Sequence, residues 1–411
     1  MLHSSLGFHT ITISLSFWEE DELRQLIRHF IAYRERTGKI MMYRRKGDEL
    51  VTFYPPKSDK FLIPDYSVIY YTQPNGITWT IRHYINFLDL DSYVVDAKIN
   101  PKMMGAIQDY ITAATYDDMN AVISRFNLEA KSISALLKNF SHYKLNRVDY
   151  CINFDLSDFV DNCEPELVMN LIRRGDIPAH YEEWTQYDKT AHRKKSPDSS
   201  FYLKSKSAHI NCYSKYLQLK EYSEKNMARG FKPVPQATLN AAKNIIRFEI
   251  QYLYPKMEKI SIRTKVLDNN YEINKYETLL SHKSCNDAVK FYFNRIIRKG
   301  NWYTLHDAVQ IIQSKHFNKQ KEKRLIETLQ LVNQCRSLFK ARESCTGTNL
   351  EQFTRSLIDL SYLDINPVTI PKNWGIRYIP NLLSAYYEKS DKETEDSHQK
   401  CCDLHFCITE D

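Results

Sequence analysis

The sequence predicts an α+β fold, with a sheet-containing N-terminal part followed by a mostly helical C-terminal part. Before residue 260, several β-branched and aromatic segments alternate between apolar and polar residues, which is the two-residue period of half-buried strands. After Pro255 the apolar spacing changes to the 3.6-residue period of helices. A chain of 411 residues has room for about two or three domains. We predict an α+β domain over residues 1–260, built on a central antiparallel or mixed sheet covered by helices, a helical domain over 261–387 and an acidic disordered tail over 388–411.

The N-terminal elements follow from this pattern in order. Residues 8–15 alternate as in a strand, and Ser16 with Glu19 matches a capping box ahead of an amphipathic helix. Residues 39–98 are β-rich, and Pro-Asn-Gly at 74–76 is a strong hairpin signal. Helical periods then occur at residues 101–140 with a break near 116, 164–174, 287–298, 304–315, 319–341 and 349–363.

Three later strands each carry a polar stripe. They span Arg147–Asp155, His209–Leu217 and Ile245–Tyr254. Because side chains alternate across a strand, one face of each collects polar groups, namely Arg147 and Asp149, then His209, Asn211, Tyr213 and Lys215, then Arg247, Glu249 and Gln251. The stripes could converge on one sheet face. Alternation alone favours a simpler interpretation, in which they are the solvated side of a half-covered sheet.

If the stripes do converge, their residue types indicate phosphodiester chemistry. Asp149 and Glu249, with a neutral nitrogen or oxygen ligand, would make a hard-cation site suited to Mg²⁺ or Mn²⁺. Tyr213 is a candidate covalent nucleophile, and Lys215 would neutralise developing negative charge. Together they describe a transesterase that breaks a DNA strand and stays attached to its end.

Several other classes of protein are disfavoured. The chain has only ten glycines and lacks the glycine-rich phosphate loops of P-loop and Rossmann proteins. No apolar run approaches the ~20 residues of a membrane helix, and we expect no signal peptide and no membrane partner. Nine cysteines scattered without framework spacing predict reduced thiols in a cytoplasmic protein.

The charge distribution favours a nucleic-acid partner. The net charge is +7, but residues 388–411 hold three lysines against eight acids, so their −5 leaves +12 for the rest of the chain. A basic body with 28 tyrosines and 19 phenylalanines suits DNA, because phosphates attract cations and unpaired bases stack on aromatic rings. A lysine-rich soluble surface would give the same composition.

The three polar strands, in this order, resemble the motifs of a known family. Asn146-Arg147-Val148-Asp149-Tyr150 resembles an Arg-hydrophobic-Asp strand, His209 to Lys215 a strand that ends in Tyr-x-Lys, and Arg247-Phe248-Glu249-Ile250 an Arg-x-Glu strand. These are the motifs of the replication initiators of rolling-circle plasmids and filamentous-type phages. The chain departs from that family at Gln218 and Lys98, where an acidic residue is usual.

The resemblance implies a replication initiator that nicks origin DNA. Tyr213 would be the nucleophile, Lys215 its catalytic partner, and Asp149 and Glu249 would hold Mg²⁺ or Mn²⁺. The substrate would be single-stranded or cruciform origin DNA, and a host helicase and a second copy of the chain are further candidate partners. We assign DNA contacts to the motif arginines Arg147 and Arg247 and to Lys194 and Lys195, which belong to a basic run in a polar loop.

Two alternative functions stay open from the sequence. One is a DNA-binding protein without catalysis, either a regulator or an inactive initiator. The other is a mobilisation relaxase, which would use the same chemistry for DNA transfer. Carboxylates opposite the Tyr213 strand favour an enzyme, since a pure DNA-binding surface needs Arg and Lys there.

Overall fold

The computed structural model has the predicted α+β fold. It describes residues 4–391 except 18, 39, 47–48, 53–67, 73–75, 86–90, 106–108, 161–162, 185, 189–192, 196–199, 229–231 and 261–274. Only the backbone is described for residues 40–46, 49–52, 68–72, 83–85, 91, 186–188, 193–195 and 275.

The described strands are numbered in chain order. They are β1 (Ser5–Phe17), β2 (Ile40–Lys46), β3 (Glu49–Thr52), β4 (Val68–Thr72), β5 (Ile77–Ile85), β6 (Asp91–Ile99), β7 (Lys144–Asp155), β8 (Glu182–Glu183), β9 (Gln186–Asp188), β10 (Arg193–Lys195), β11 (Ser200–Lys204), β12 (Ala208–Ser214), β13 (Ile245–Leu253), β14 (Trp302–Tyr303) and β15 (Tyr378–Ile379). Eleven of them form one sheet in the order β3-β2-β4-β5-β6-β1-β7-β13-β12-β11-β8. Every neighbouring pair in this sheet is antiparallel.

The described α-helices cover the sheet and build the C-terminal part. They span Glu20–Thr37, Pro101–Met104, Met119–Ile133, Pro165–Arg173, Lys215–Ala228, Gln236–Ala241, residues 254–260, Lys275–Leu279, His282–Ile296, Leu305–Ser314, Lys319–Cys335, Leu338–Glu343, Gly347–Tyr362 and residues 382–391. Short 3₁₀ turns lie at Tyr116–Asp118, Phe140–His142, Leu156–Asp158 and Lys372–Trp374.

The three strands with polar stripes are neighbours in the sheet. β13 lies between β7 and β12, and the register pairs Gln251 with Asp149 and Asn211 with Glu249. The apolar residues of these strands therefore share the other face. There Phe293 of the helix His282–Ile296 packs against Phe248, with ring centroids 5.5 Å apart. The alternation in the sequence thus places all polar stripes on one side.

The C-terminal helices share a core with the sheet. The helix His282–Ile296 contacts β1, β7 and β13, and its apolar residues belong to the same hydrophobic cluster as the sheet. The predicted domain boundary near residue 260 adjoins residues 261–274, which lie outside the description, and it stays a prediction. Of the predicted tail, residues 388–391 end a helix, and 392–411 lie outside the described residues.

Several predicted element boundaries differ from the structure. The helical region predicted over 101–140 consists of the helices Pro101–Met104 and Met119–Ile133, and the helix predicted from 287 begins at His282. Ser16 is not a cap, because β1 continues to Phe17 and pairs Ser16 with Val94. The helix predicted over 319–341 ends at Cys335, since Arg336 has φ 51° and Ser337 caps the next helix. The strand predicted to reach Leu217 ends at Ser214, where a helix begins.

The predicted hairpin at 74–76 is supported by the pairing of β4 with β5, which joins Thr72 to Ile77. Residues 73–75 themselves lie outside the description. Within the described residues, no helix is both long and apolar enough to cross a membrane.

The fold predicts that two nearby side chains of the helix Met119–Ile133, Phe126 and Leu128, contribute very differently to the free energy of unfolding. Phe126 is fully buried and its ring lies 5.4 Å from Trp79 and 5.2 Å from Tyr143, whereas Leu128 is 70% exposed. Phe126→Ala should lower the free energy of unfolding by about 3–5 kcal/mol, because it removes buried surface and leaves a cavity. The matched control Leu128→Ala should change it by about 0.5 kcal/mol or less. Urea denaturation followed by circular dichroism measures both, and equal midpoints would contradict this packing.

Candidate active site

The candidate site is a cavity of about 320 Å³ on the polar face of the sheet. β1, β7, β12 and β13 contribute its floor, and the helix that begins at Lys215 forms one wall. The cavity is lined by His9, Thr10, Lys98, Arg147, Asp149, Ser200, Asn211, Tyr213, Ser214, Leu217, Gln218, Glu221, Glu249 and Gln251. The predicted metal ligands and nucleophile therefore face one space.

His9, Asp149 and Glu249 form a group that fits a divalent cation. One ring nitrogen of His9 and one carboxylate oxygen from each acid all lie within 4.8 Å of one another. Ligands at about 2.0–2.6 Å from a common ion have separations of this order. Two carboxylates with one imidazole suit Mn²⁺ or Mg²⁺. The donor set therefore fits the cation implied by the sequence.

His9 was missed by the sequence interpretation, which treated residues 8–15 as a regular strand. The register of β1 against β7 shifts between Phe8 and Thr10, which marks a bulge. As a result Phe8 and Ile11 are both in the core, and His9 and Thr10 both line the cavity. The signal was available, because Phe8 is out of phase with the apolar residues Ile11 and Ile13.

Neighbouring groups hold His9 and Glu249 in forms that can bind a metal. His9 Nδ1 lies 3.3 Å from Glu249 Oε2. Burial, with the nearby Arg247 charge, lowers the pKa of His9 to about 4, so the imidazole is neutral at pH 7. Burial alone would raise the pKa of Glu249, but hydrogen bonding with His9 and Gln251 and the charge of Arg247 outweigh it and hold that pKa well below its ordinary value. A neutral imidazole and an ionised carboxylate are the forms that coordinate cations.

Asp149 is buried and bound by an arginine. Arg147 donates two hydrogen bonds to it, from Nε to Oδ1 and from a terminal nitrogen to Oδ2, each at 2.6 Å. Burial raises the pKa of Asp149 to about 6; Arg147 opposes that rise, and the negative charge of Glu249 adds to it. We predicted that Arg147 contacts DNA. In the structure its guanidinium already donates two hydrogen bonds to Asp149, a candidate metal ligand.

Tyr213 lies beside the metal-ligand group. Its hydroxyl donates a hydrogen bond to Glu249 Oε2 at 3.2 Å, and its side chain is largely buried. Burial and the charge of Glu249 raise the pKa of Tyr213 well above its ordinary value of about 10. The phenol is therefore protonated at neutral pH, and it needs a nearby cation or base before it can attack.

Lys215 is placed differently from the prediction. It is the first residue of a helix and not part of the strand face of Tyr213. Its side chain is only 1% exposed, and its Nζ donates to Gln218 Oε1 at 2.9 Å. Lys215 lines a second cavity, which shares His9, Thr10, Lys98 and Gln218 with the first.

Arg247 was predicted to contact DNA, but its side chain is buried within the protein. The guanidinium is completely buried and donates to Asn153 Oδ1 at 2.7 Å and to the carbonyl of Ile111. It therefore ties β13 to β7 and to the loop before the first 3₁₀ turn, and it cannot reach a strand of DNA. Lys194 and Lys195 lie in β10, which pairs with β9 outside the main sheet, and their side chains are outside the description.

Asn211 adds an oxygen to the site. It lies opposite Glu249 in the register and lines the same cavity. Its Oδ1 is buried and makes no hydrogen bond within the described part of the chain. A buried acceptor without a partner costs about 1–3 kcal/mol, so this oxygen is placed to accept from a ligand or to approach a cation.

Comparison with known proteins gives one structural likeness. The chain is similar to a solved structure described as the rolling circle replication initiator protein from Geobacillus stearothermophilus, with 9% sequence identity and a TM-score of 0.25 over 64% of this chain and 80% of that one. A likeness of this size carries no conclusion about function. No protein-family model matches the chain, and a comparison with curated proteins found no match.

If His9, Asp149 and Glu249 hold a metal ion, removing the His9 ring should weaken metal binding, and removing a nearby histidine outside the group should not. His9→Ala should weaken Mn²⁺ binding at least about tenfold, because loss of even an outer-shell partner commonly costs 10–100-fold. His209→Ala is the matched control: its ring is on the same part of the sheet but bonds Tyr202 and Gln251. Isothermal titration of the purified protein with MnCl₂ measures both. Equal affinities of the two variants would show that His9 is not a ligand.

Proposed function

We propose that this protein is a replication initiator that nicks one DNA strand through a covalent bond to Tyr213. The observation that carries the proposal is the 3.2 Å hydrogen bond from the Tyr213 hydroxyl to Glu249, a member of the group that fits a divalent cation. The three strand motifs that resemble rolling-circle initiators support the same function. The particular use in rolling-circle replication of a plasmid or phage comes from that resemblance.

The chemistry is a transesterification. The Tyr213 oxygen attacks phosphorus, the bond from phosphorus to the 3′ oxygen breaks, and the 5′ phosphate becomes joined to the tyrosine. Glu249 orients the Tyr213 hydroxyl through the hydrogen bond that it accepts. The phenolic proton passes to water as the new phosphoester forms, and the departing 3′ oxygen takes up a proton from water. One phosphoester replaces another, so the step is reversible and the strand can be rejoined.

The side chains around Tyr213 have distinct duties in this proposal. His9, Asp149 and Glu249 would hold Mg²⁺ or Mn²⁺, which when bound polarises a phosphoryl oxygen and stabilises negative charge. Lys98 and Arg147 line the same cavity and would attract the phosphate. Arg147 also orients Asp149 through its paired hydrogen bonds.

One observation favours a second candidate, a DNA-binding protein without catalysis. Arg147 already contacts both carboxylate oxygens of Asp149. In a protein without catalysis, the Arg147 guanidinium would stay bound to Asp149 in place of a metal ion. The site would then bind a DNA phosphate and would not cleave the strand. The Mn²⁺ titration separates the two candidates, since only the enzyme requires a bound cation. A mobilisation relaxase would behave as the enzyme does and differ in the DNA that it cuts.

The proposal predicts a covalent protein–DNA adduct. Single-stranded fragments that tile the DNA element carrying the gene are labelled at the 3′ end and incubated with protein and Mn²⁺. The fragment that contains the nick site should transfer its label to the protein, because the tyrosine retains the strand 3′ of the break. Tyr213→Phe keeps the ring and loses the attacking oxygen, so it should form no adduct on denaturing gels.

The matched control is Tyr202→Phe. Tyr202 lies on the neighbouring strand β11 and its hydroxyl contacts His209 at 3.0 Å, outside the metal-ligand group. This variant should form the adduct at the wild-type level. An adduct that survives in Tyr213→Phe would overturn the choice of nucleophile, and no adduct with any fragment would leave the DNA-binding candidate.

A further inference from the structure

A second cavity opens directly beside the candidate active site. It has a volume of about 250 Å³ and shares His9, Thr10, Lys98 and Gln218 with the first. Its other lining residues include Met103, Tyr110, Lys215, Leu219 and Tyr222. A strand whose phosphate lies at Tyr213 would therefore place a neighbouring nucleotide against this cavity.

One wall of this second cavity carries a buried lysine. Lys215 is 1% exposed, and its Nζ bonds the neutral Gln218. No carboxylate within the described residues forms an ion pair with it, and the nearby Glu249 is already bonded by His9, Tyr213 and Gln251. Burial and the charge of Arg247 lower the pKa of Lys215 well below its ordinary value. A phosphate that approaches this amine would favour its charged form, so the site is suited to a ligand that brings negative charge.

The other wall is aromatic and apolar. The rings of Tyr110 and Tyr222 lie 6.3 Å apart at 52°, and Met103 and Leu219 complete the surface. Aromatic side chains bind unpaired bases by stacking on them. The volume of about 250 Å³ is sufficient for one base.

We propose that this second cavity is a nucleotide subsite, which holds one unpaired base against Tyr110 and Tyr222 and its phosphate at Lys215 and Lys98. The subsite rests on the proposed DNA-nicking function and makes it more specific, because it names the residues that hold the unpaired nucleotide next to the scissile phosphate. A base within duplex DNA would not stack on these rings, because it is already stacked and paired with other bases.

The test measures binding separately from cleavage. All variants are made in the Tyr213→Phe protein, and binding of fluorescein-labelled dT₂₀ and of a 20-base-pair duplex is followed by anisotropy. Tyr222→Ala should weaken dT₂₀ binding about 5- to 150-fold, the loss expected for one base stack, and leave the weaker duplex binding unchanged. Tyr222→Phe retains the ring and should bind as the parent does. Tyr362→Ala, an exposed tyrosine of the helical part, is the control.

Lys215→Met tests the phosphate contact with little change in shape. It should weaken dT₂₀ binding and reduce the slope of log affinity against log salt by about 0.7, the value for one phosphate on a single strand. A packing defect would lower affinity without changing this slope. An unchanged slope would overturn the role of Lys215, and dT₂₀ binding by Tyr222→Ala equal to that of the parent would overturn the subsite.

Failure of the subsite and failure of the nicking function give different results. If no covalent adduct ever forms but Tyr222→Ala loses dT₂₀ binding, the nicking function is wrong and the base subsite stands. If the adduct forms on Tyr213 and Tyr222→Ala binds dT₂₀ normally, the function stands and the subsite is wrong.

Discussion

The burial of opposite charges on one face of the sheet is the constraint on which the rest of the site depends. Asp149, Glu249, Arg247 and Lys215 are all at least 96% buried. Isolated, each would cost several kcal/mol, so every acid there must be held by donors or cations. Arg147 compensates Asp149, and His9, Tyr213 and Gln251 converge on Glu249. The hydrogen bond from Tyr213 that helps to stabilise the buried Glu249 carboxylate therefore also fixes the position of this candidate nucleophile.

The central part of this arrangement could be predicted from the sequence. Alternation along β7, β12 and β13 placed Asp149, Tyr213 and Glu249 on one face, and the antiparallel register brings them to one cavity. Period-two alternation is reliable here because each strand buries its other face. The change to helical periods after Pro255 likewise anticipated the C-terminal helices.

The features that the sequence did not predict depend on local backbone geometry and on how deeply a side chain is buried. The bulge that turns His9 into the cavity inserts one residue into an alternation that otherwise continues. The transition from strand to helix after Ser214 moved Lys215 off the predicted face and into the second cavity. Arg247 follows the alternation, but polarity alone does not distinguish an arginine at a surface from one buried on Asn153.

The central claim is that His9, Asp149 and Glu249 share one cation beside the Tyr213 hydroxyl. The most direct measurement is an anomalous-difference map from crystals soaked in MnCl₂. We expect one peak about 2.0–2.6 Å from a His9 ring nitrogen and from an oxygen of each acid. Manganese bound at surface carboxylates alone, with Arg147 still on both oxygens of Asp149 and no peak among these residues, would contradict the account.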